Sequence, residues 1–231
     1  ITIISMVTFM GDVLISKGAE AHIYLTKFFD MKAIKKVRVK KLYRVPSIDM
    51  AIRKMRTRRE AKLLSQVKKI GVPAPVIYDL ILSEYTIIME YVKGKLLKDL
   101  LISHSLSPIE EKEYFKRIGE FIGRMHSSDI IHGDLTTSNI IITPSGKIVF
   151  IDFGLGEFTS SIEDKGVELR VFYTALCSTH PDRADDLFEA FLDGYEHSYD
   201  LARKVISKFS EISLRGRYVA KRREKRKFMS P

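Results

Sequence analysis

Asp134, Asn139 five positions later and Asp152 thirteen after that place three oxygen-bearing side chains in one short stretch of this chain. They lie in His132-Gly133-Asp134-Leu135-Thr136-Thr137-Ser138-Asn139 and in Ile151-Asp152-Phe153-Gly154. Transfer of a phosphoryl group from ATP needs a carboxylate that orients and deprotonates the attacking hydroxyl. It also needs oxygen ligands that hold Mg²⁺ on the β- and γ-phosphates. Asp134 suits the first role, and Asn139 with Asp152 suits the second, as metal ligands. Asp and Asn in a glycine-containing loop are also ordinary turn formers, and D-F-G occurs by chance. Against a turn alone stand the two elements in order, separated by apolar segments Ile140-Ile141-Ile142 and Lys147-Ile148-Val149-Phe150 around a hairpin turn at Pro144-Ser145-Gly146.

The pattern H-x-D-x-x-x-x-N followed by D-F-G resembles the catalytic core of the protein-kinase-like superfamily. Such a core requires further elements upstream. Val13 to Phe28 reads as two strands around Ser16-Lys17-Gly18-Ala19-Glu20-Ala21, where a phosphate-covering hairpin would sit. Lys17, Gly18, Ala19 and Glu20 are the candidates there, although the usual three glycines are absent. The following strand, Lys32 to Val39, carries Lys35 and Lys36, which alternation sends to opposite faces. One of them would contact the α/β-phosphates, and the A-I-K pattern favours Lys35. A helix is expected from Ser47, as N-cap, to about Lys69, stopping at Gly71-Val72-Pro73. Glu60 shares its apolar face with Leu63, Leu64 and Val67 and so needs a partner. Lys36 is the natural one, and Arg56 at i−4 is the surface alternative. Val76–Leu82 and Thr86–Glu90 read as an antiparallel pair. Met89-Glu90-Tyr91-Val92 then reads as a hinge, with the Glu90 carbonyl and Val92 N–H for the adenine edge and Met89 behind it.

Helices dominate the rest. Leu96–His104 is short. Ser107 caps a long amphipathic helix that opens at Pro108 and buries Phe115, Ile118, Phe121, Ile122 and Met125. His132 reads as a brace for the loop rather than a base. No His/Cys/Glu cluster has zinc-site spacing. No A-P-E follows Gly154; instead a helix is expected from Glu163, so the peptide-docking region is much reduced. Pro181 to Ser207 supplies two more helices.

Composition narrows the class. With 231 residues, 45% of them hydrophobic, the chain can bury a full core. Its one cysteine, Cys177, excludes an internal disulfide and suits a reducing cytosol. No apolar run approaches the roughly 20 residues that span a bilayer, and the apolar first ten residues lack signal-peptide flanks. A start at Ile1 rather than Met is read as a fragment or part of a longer polypeptide. The net charge of +10 concentrates in residues 31–62 and 215–227, on a mildly acidic body. Such blocks attract phosphate, RNA or an acidic partner.

The chain as a whole resembles the small atypical kinase of the KEOPS complex, the PRPK family, a RIO-like minimal kinase. The resemblance rests on Lys36-x-Arg38, Tyr43-Arg44-Val45-Pro46-Ser47-Ile48-Asp49, Arg56-Thr57-x-x-Glu60-Ala61, and the two stretches quoted first. It also rests on Leu155-Gly156, Asp164-Lys165-Gly166-Val167-Glu168-Leu169, Ser178-Thr179-His180-Pro181 and Arg215-Gly216-Arg217. Gly166 and Glu168 are conservative departures. In that family the ATP lysine lies seven residues before the Tyr-Arg pair, which selects Lys36.

The resemblance implies an α+β, two-lobed fold: an N-lobe over 1–92, a reduced helical C-lobe over 93–214 and a basic tail over 215–231. It implies catalytic roles for Asp134, Lys36 and Glu60, with ATP and Mg²⁺ or Mn²⁺ as cofactors. It further implies cytoplasmic work in KEOPS, which completes threonylcarbamoyl-adenosine in tRNA. The expected partners are the threonylcarbamoyl-transferase subunit (fused ahead of the kinase in some archaea), a small accessory subunit, and tRNA through the tail. A kinase or ATPase in that pathway is the first expectation. A small-molecule phosphotransferase of the aminoglycoside or choline type is the alternative, and a non-catalytic tRNA-binding or scaffold module is the third.

Overall fold

A computed structural model describes residues 11–214. The chain divides into two compact units. One holds the chain up to Gly94 together with Ile141–Leu155, and the other holds Lys95–Ile140 and the chain from Gly156.

The first unit is built on an antiparallel sheet in the order β1-β2-β3-β5-β4. Its strands are β1 (Val13–Lys17), β2 (Ala21–Phe28), β3 (Met31–Arg38), β4 (Ile77–Ile81) and β5 (Thr86–Glu90). β3 lies in the middle, with Lys36 opposite Ile23 on β2 and Ile87 on β5. Helix α1 runs from Pro46 to Lys69 and buries Thr57, Glu60, Ala61, Leu63, Leu64 and Val67, a single stripe at helical spacing. It opens differently from the sequence expectation. Val45 is the N-cap with no side-chain cap, and Ser47 falls inside the first turn. Pro46 causes the shift: its fixed φ and missing N–H suit the first helical position. The far end closes as expected. Gly71, at φ 79°, lets Val72 N–H reach the Val67 carbonyl and Gly71 N–H reach that of Lys68. Strands β8 (Ile140–Ile142) and β9 (Ile148–Phe150) form the hairpin read from Pro144-Ser145-Gly146, with Gly146 at φ 74°. β9 is buried, and the Phe150 N–H donates to the Pro73 carbonyl at 2.9 Å.

The second unit is mainly helical. It contains β6 (Lys95–Leu96), α2 (Leu97–Ile102), α3 (Pro108–Ser127), β7 (Ile130–Ile131), β10 (Glu157–Phe158), α4 (Ile162–Thr179), α5 (Ala184–Ser198) and a last helix, α6, over 202–214. Ser107 caps α3 as expected, and Glu110 completes a capping box by accepting the Ser107 N–H. Ser161 caps α4 one residue earlier than the Glu163 start implied. Phe121, expected in the buried stripe of α3, is only half-buried. Packing of α3 on α5 is set by glycines: a Cβ at Gly119 would stand 1.9 Å from the Phe191 carbonyl, and one at Gly194 1.9 Å from that of Lys116. Phe115, Phe172, Phe191 and Tyr195 fill the core beside this contact. No helix among the described residues is long and apolar enough to cross a membrane.

Candidate active site

In the first unit, β3, α1 and the segment after β9 bring four charges together. Lys36 Nζ donates to Glu60 Oε1 at 2.6 Å and to Asp152 Oδ1 at 2.7 Å. Arg38 Nη2 donates to the other Glu60 oxygen, Oε2, at 2.6 Å. Strand alternation explains the pairing of cations: Lys36 and Arg38 are two apart and share a face, whereas Lys35 points away and meets Asp12 at 2.9 Å. The surface alternative for Glu60 is absent, because Arg56 reaches Glu20 at 2.7 Å instead. Burial works to lower the Lys36 pKa. The carboxylates of Glu60 and Asp152 outweigh it and hold the ammonium above the ordinary lysine value. Asp152 is the exposed member, with 46% of its side chain accessible. Its backbone sits at φ 62°, an uncommon conformation for a non-glycine residue, and its Oδ1 accepts the Gly154 N–H at 3.0 Å.

The remaining predicted nucleotide contacts in this unit lie along the sheet. Lys17 ends β1, and Gly18 closes the β1–β2 turn through its N–H on the Ala21 carbonyl at 3.0 Å. The Ala19 carbonyl accepts from Lys41 Nζ, and the Glu20 side chain is held by Arg56, so neither of those groups is directed by the turn itself. Met89 is buried at the end of β5. The Glu90 N–H donates to the Val76 carbonyl at 2.8 Å, and the Val76 N–H returns a bond to Glu90 Oε2 at 3.0 Å. Val92 follows in irregular chain.

In the second unit the loop from His132 to Asn139 is fixed by its own residues and by α4. Asn139 Nδ2 donates to the Asp134 carbonyl at 2.8 Å and to Asp134 Oδ2 at 2.9 Å. The amide nitrogen is thereby committed to Asp134, and the amide oxygen is the end that suits a cation. His132 is fully buried, and its Nδ1 accepts the Asp134 N–H at 3.3 Å, a bracing geometry. Gly133, at φ 80°, presents its N–H to Glu168 Oε1 at 2.6 Å. The second oxygen, Oε2, is 2.9 Å from His126 Nε2, and His126 Nδ1 is 2.7 Å from the Tyr195 hydroxyl. Burial pushes the Glu168 carboxyl up. The His126 hydrogen bond, the attraction of His126 and His132 and the Gly133 N–H outweigh it, leaving the group below the usual glutamate range.

Arg38 and Glu168 are the two residues to which the sequence reading gave no role. The i, i+2 spacing of Lys36 and Arg38 was the available signal for the first. For the second it was an acid on the apolar face of α4, beside Leu169 and Phe172. The two predicted metal ligands each offer an oxygen of the kind a hard divalent cation takes, Asp152 a carboxylate in the first unit and Asn139 an amide oxygen in the second. Mg²⁺ takes one or two such groups together with waters and phosphate oxygens rather than an all-protein cage.

Residues 14–199 match the protein kinase domain family. The KEOPS complex subunit Bud32 of Pyrococcus abyssi is 44% identical over 214 residues, covering 89% of this chain and 96% of that protein. The EKC/KEOPS complex subunit bud32 of Dictyostelium discoideum is 39% identical over 209 residues, 89% of this chain and 82% of that protein. A probable bifunctional tRNA threonylcarbamoyladenosine biosynthesis protein of Methanocaldococcus jannaschii is 43% identical over 206 residues. The match covers 89% of this chain but 37% of that protein, so the chain spans little more than a third of its length.

Proposed function

We propose that this chain, which belongs to the protein kinase domain family and within it to the Bud32 proteins, is an ATP-dependent atypical serine/threonine kinase and ATPase serving threonylcarbamoyladenosine modification of tRNA. The observation that carries the catalytic part is the placement of Lys36 Nζ between Glu60 and Asp152, at 2.6 and 2.7 Å. An ammonium held by one buried and one exposed carboxylate is suited to a phosphate ligand. The buried Glu60 keeps it oriented, and the exposed Asp152 is available to a metal.

In this reading Lys36 contacts the α- and β-phosphates. Lys17 to Glu20 cover the phosphates through backbone N–H groups, and the Glu90 carbonyl and Val92 N–H pair with the adenine edge before Met89. Asp134 takes the proton of the attacking hydroxyl, from a serine, a threonine or water. Asn139 holds that carboxylate in place through the 2.9 Å bond to Oδ2. Asn139 and Asp152 would hold a divalent ion, Mg²⁺ with Mn²⁺ as a substitute, which would neutralise charge developing on the transferred group.

The relatives' names support the pathway. Two are subunits of KEOPS complexes, and one is bifunctional, which favours the threonylcarbamoyl-transferase subunit as the direct partner. A small accessory subunit and a cytoplasmic setting complete the proposal. The basic tail from Arg215, which lies outside the described residues, is assigned to tRNA on its charge. The test is ATP hydrolysis and phosphate transfer to protein, aminoglycoside and choline acceptors by the wild type, Asp134→Ala and Asp152→Ala. Both variants should lose turnover. Unchanged hydrolysis in both, or transfer to a small alcohol alone, would overturn the assignment.

A further inference from the structure

We infer that Arg38 is a positioning residue for nucleotide binding: it holds Glu60 by charge, so that Lys36 can be given over to the phosphates. The inference rests on the kinase reading above.

Glu60 is only 1% exposed, and both of its oxygens are taken, Oε1 by Lys36 and Oε2 by Arg38. Lys36 is meanwhile shared with Asp152. Without Arg38 the cluster would hold one cation and two carboxylates. A phosphate that drew on Lys36 would then weaken the sole support of a buried anion, which is strongly disfavoured in a low-dielectric surrounding. The same cluster would carry net negative charge toward an anionic ligand. Arg38 changes both terms. Its guanidinium is charged at every working pH, so Glu60 stays paired whatever Lys36 does. Two cations against two carboxylates also leave the site neutral rather than repulsive.

Two further observations place Arg38 at the phosphate side rather than in an unrelated packing role. A Cβ built on Gly154, the D-F-G glycine, would lie 3.4 Å from both Arg38 Nη2 and Lys36 Nζ, so both cations border that glycine. Among the described residues, the buried Arg38 Nε has no hydrogen-bond partner, which leaves a donor for a ligand to satisfy. The strand itself does not need the guanidinium, because the Arg38 N–H is anchored on the Tyr85 carbonyl at 3.1 Å.

The experiment compares equilibrium binding of ATP and of adenosine to the wild type, Arg38→Gln and Arg38→Lys, without turnover. Arg38→Gln keeps a polar side chain on the strand but loses the charge. It should weaken ATP by roughly tenfold or more and leave adenosine within about twofold. Arg38→Lys, which keeps the charge, should hold ATP within about threefold of the wild type. Parallel loss of ATP and adenosine in Arg38→Gln, or no loss of either, would overturn the inference. If Arg38→Gln does not fold, a tenfold loss of ATP in folded Arg38→Lys would overturn it, and retention would support it. A wild type that binds no ATP would instead remove the kinase reading beneath.

Discussion

Replacing Glu168 should expose how much of the catalytic loop's order depends on a residue outside it. The carboxylate is fully buried and satisfies two donors, the Gly133 N–H at 2.6 Å and His126 Nε2 at 2.9 Å. Glu168→Ala would strand His126 in the interior and leave the half-buried Gly133 N–H without its acceptor, beside a fully buried His132. Removing one member of such a buried charged network typically costs about 3–5 kcal/mol. For a chain of this size roughly 2–4 °C of melting temperature goes with each kcal/mol, so the fall should be roughly 6–20 °C. Glu168→Gln is the informative companion. Its amide oxygen can still accept from Gly133, and its NH₂ can donate to His126 once the imidazole takes the tautomer protonated at Nδ1, with the Tyr195 oxygen accepting. Only the charge assistance is lost, about 1–2 kcal/mol.

The pH dependence has a definite sign. The folded pKa of Glu168 lies below its value of 4.5 in the unfolded chain. The ionised group therefore contributes stability that is complete above that value and lost as pH falls through the folded pKa. The gap in melting temperature between wild type and Glu168→Ala should be full at neutral pH and narrow in the acid range. Calorimetry of the three proteins at pH 7 and across the acid limb reads all of this. A Glu168→Ala protein melting within about 3 °C of wild type, or a glutamine variant as damaged as the alanine one, would refute the reasoning.

Asp134→Ala should lower kcat for ATP hydrolysis by roughly 10²–10⁴-fold, the usual span for a lost general base, while equilibrium ATP binding persists; loss of binding instead would move Asp134 out of the base role. Gly119→Ala should destabilise by about 1–3 kcal/mol or more in a urea titration, because the new methyl meets backbone 1.9 Å away and α3 must part from α5. A more stable variant, following helix propensity alone, would show that this contact yields. Ser107→Ala should lower the urea midpoint by an amount corresponding to about 1 kcal/mol, since it removes the α3 cap. An unchanged midpoint would mean that α3 is held by its buried face and not by its start.

Local features were legible, and of the pairings across the chain only Lys36 with Glu60 was read, from strand and helix faces together. The hairpin at Gly146, the stop at Gly71 and the cap at Ser107 each follow from residues within one turn of one another. So does the Asp134–Asn139 contact, whose partners lie five apart. The choice between Lys35 and Lys36 shows the limit. Alternation puts them on opposite faces, but β3 buries Ala33 on one face and Lys36 with Arg38 on the other, so neither face reads as the apolar one. Arg38 and Glu60 are 22 positions apart, and Gly133 and Glu168 are 35 apart. No periodicity encodes such a pairing. What the sequence does show at Glu168 is a charged residue on a face that should be apolar, which says that a partner exists without saying which. The start of α1 went the other way: a residue of good capping type, Ser47, lost the position because its neighbour Pro46 fits the first turn better.

Glu60 and Glu168 solve the same problem in the two units. Each projects from a helix, is almost fully buried, and spends its two oxygens on two different donors: Lys36 and Arg38 for Glu60, Gly133 and His126 for Glu168. A carboxylate is suited to this because it accepts at both oxygens and donates at neither. Aspartate would be shorter by a methylene, and glutamine would face two donors with one acceptor and one donor of its own. The two sites should therefore differ in their tolerance of glutamine. At Glu168 one donor is an imidazole, which can exchange tautomer and accept. At Glu60 both donors are permanent cations in this pH range, and neither can accept. Glutamine should then be far more damaging at position 60 than at position 168, although the substitution is the same and both side chains are buried. Equal losses at the two positions would mean that burial, and not the chemistry of the donors, sets the requirement for a carboxylate.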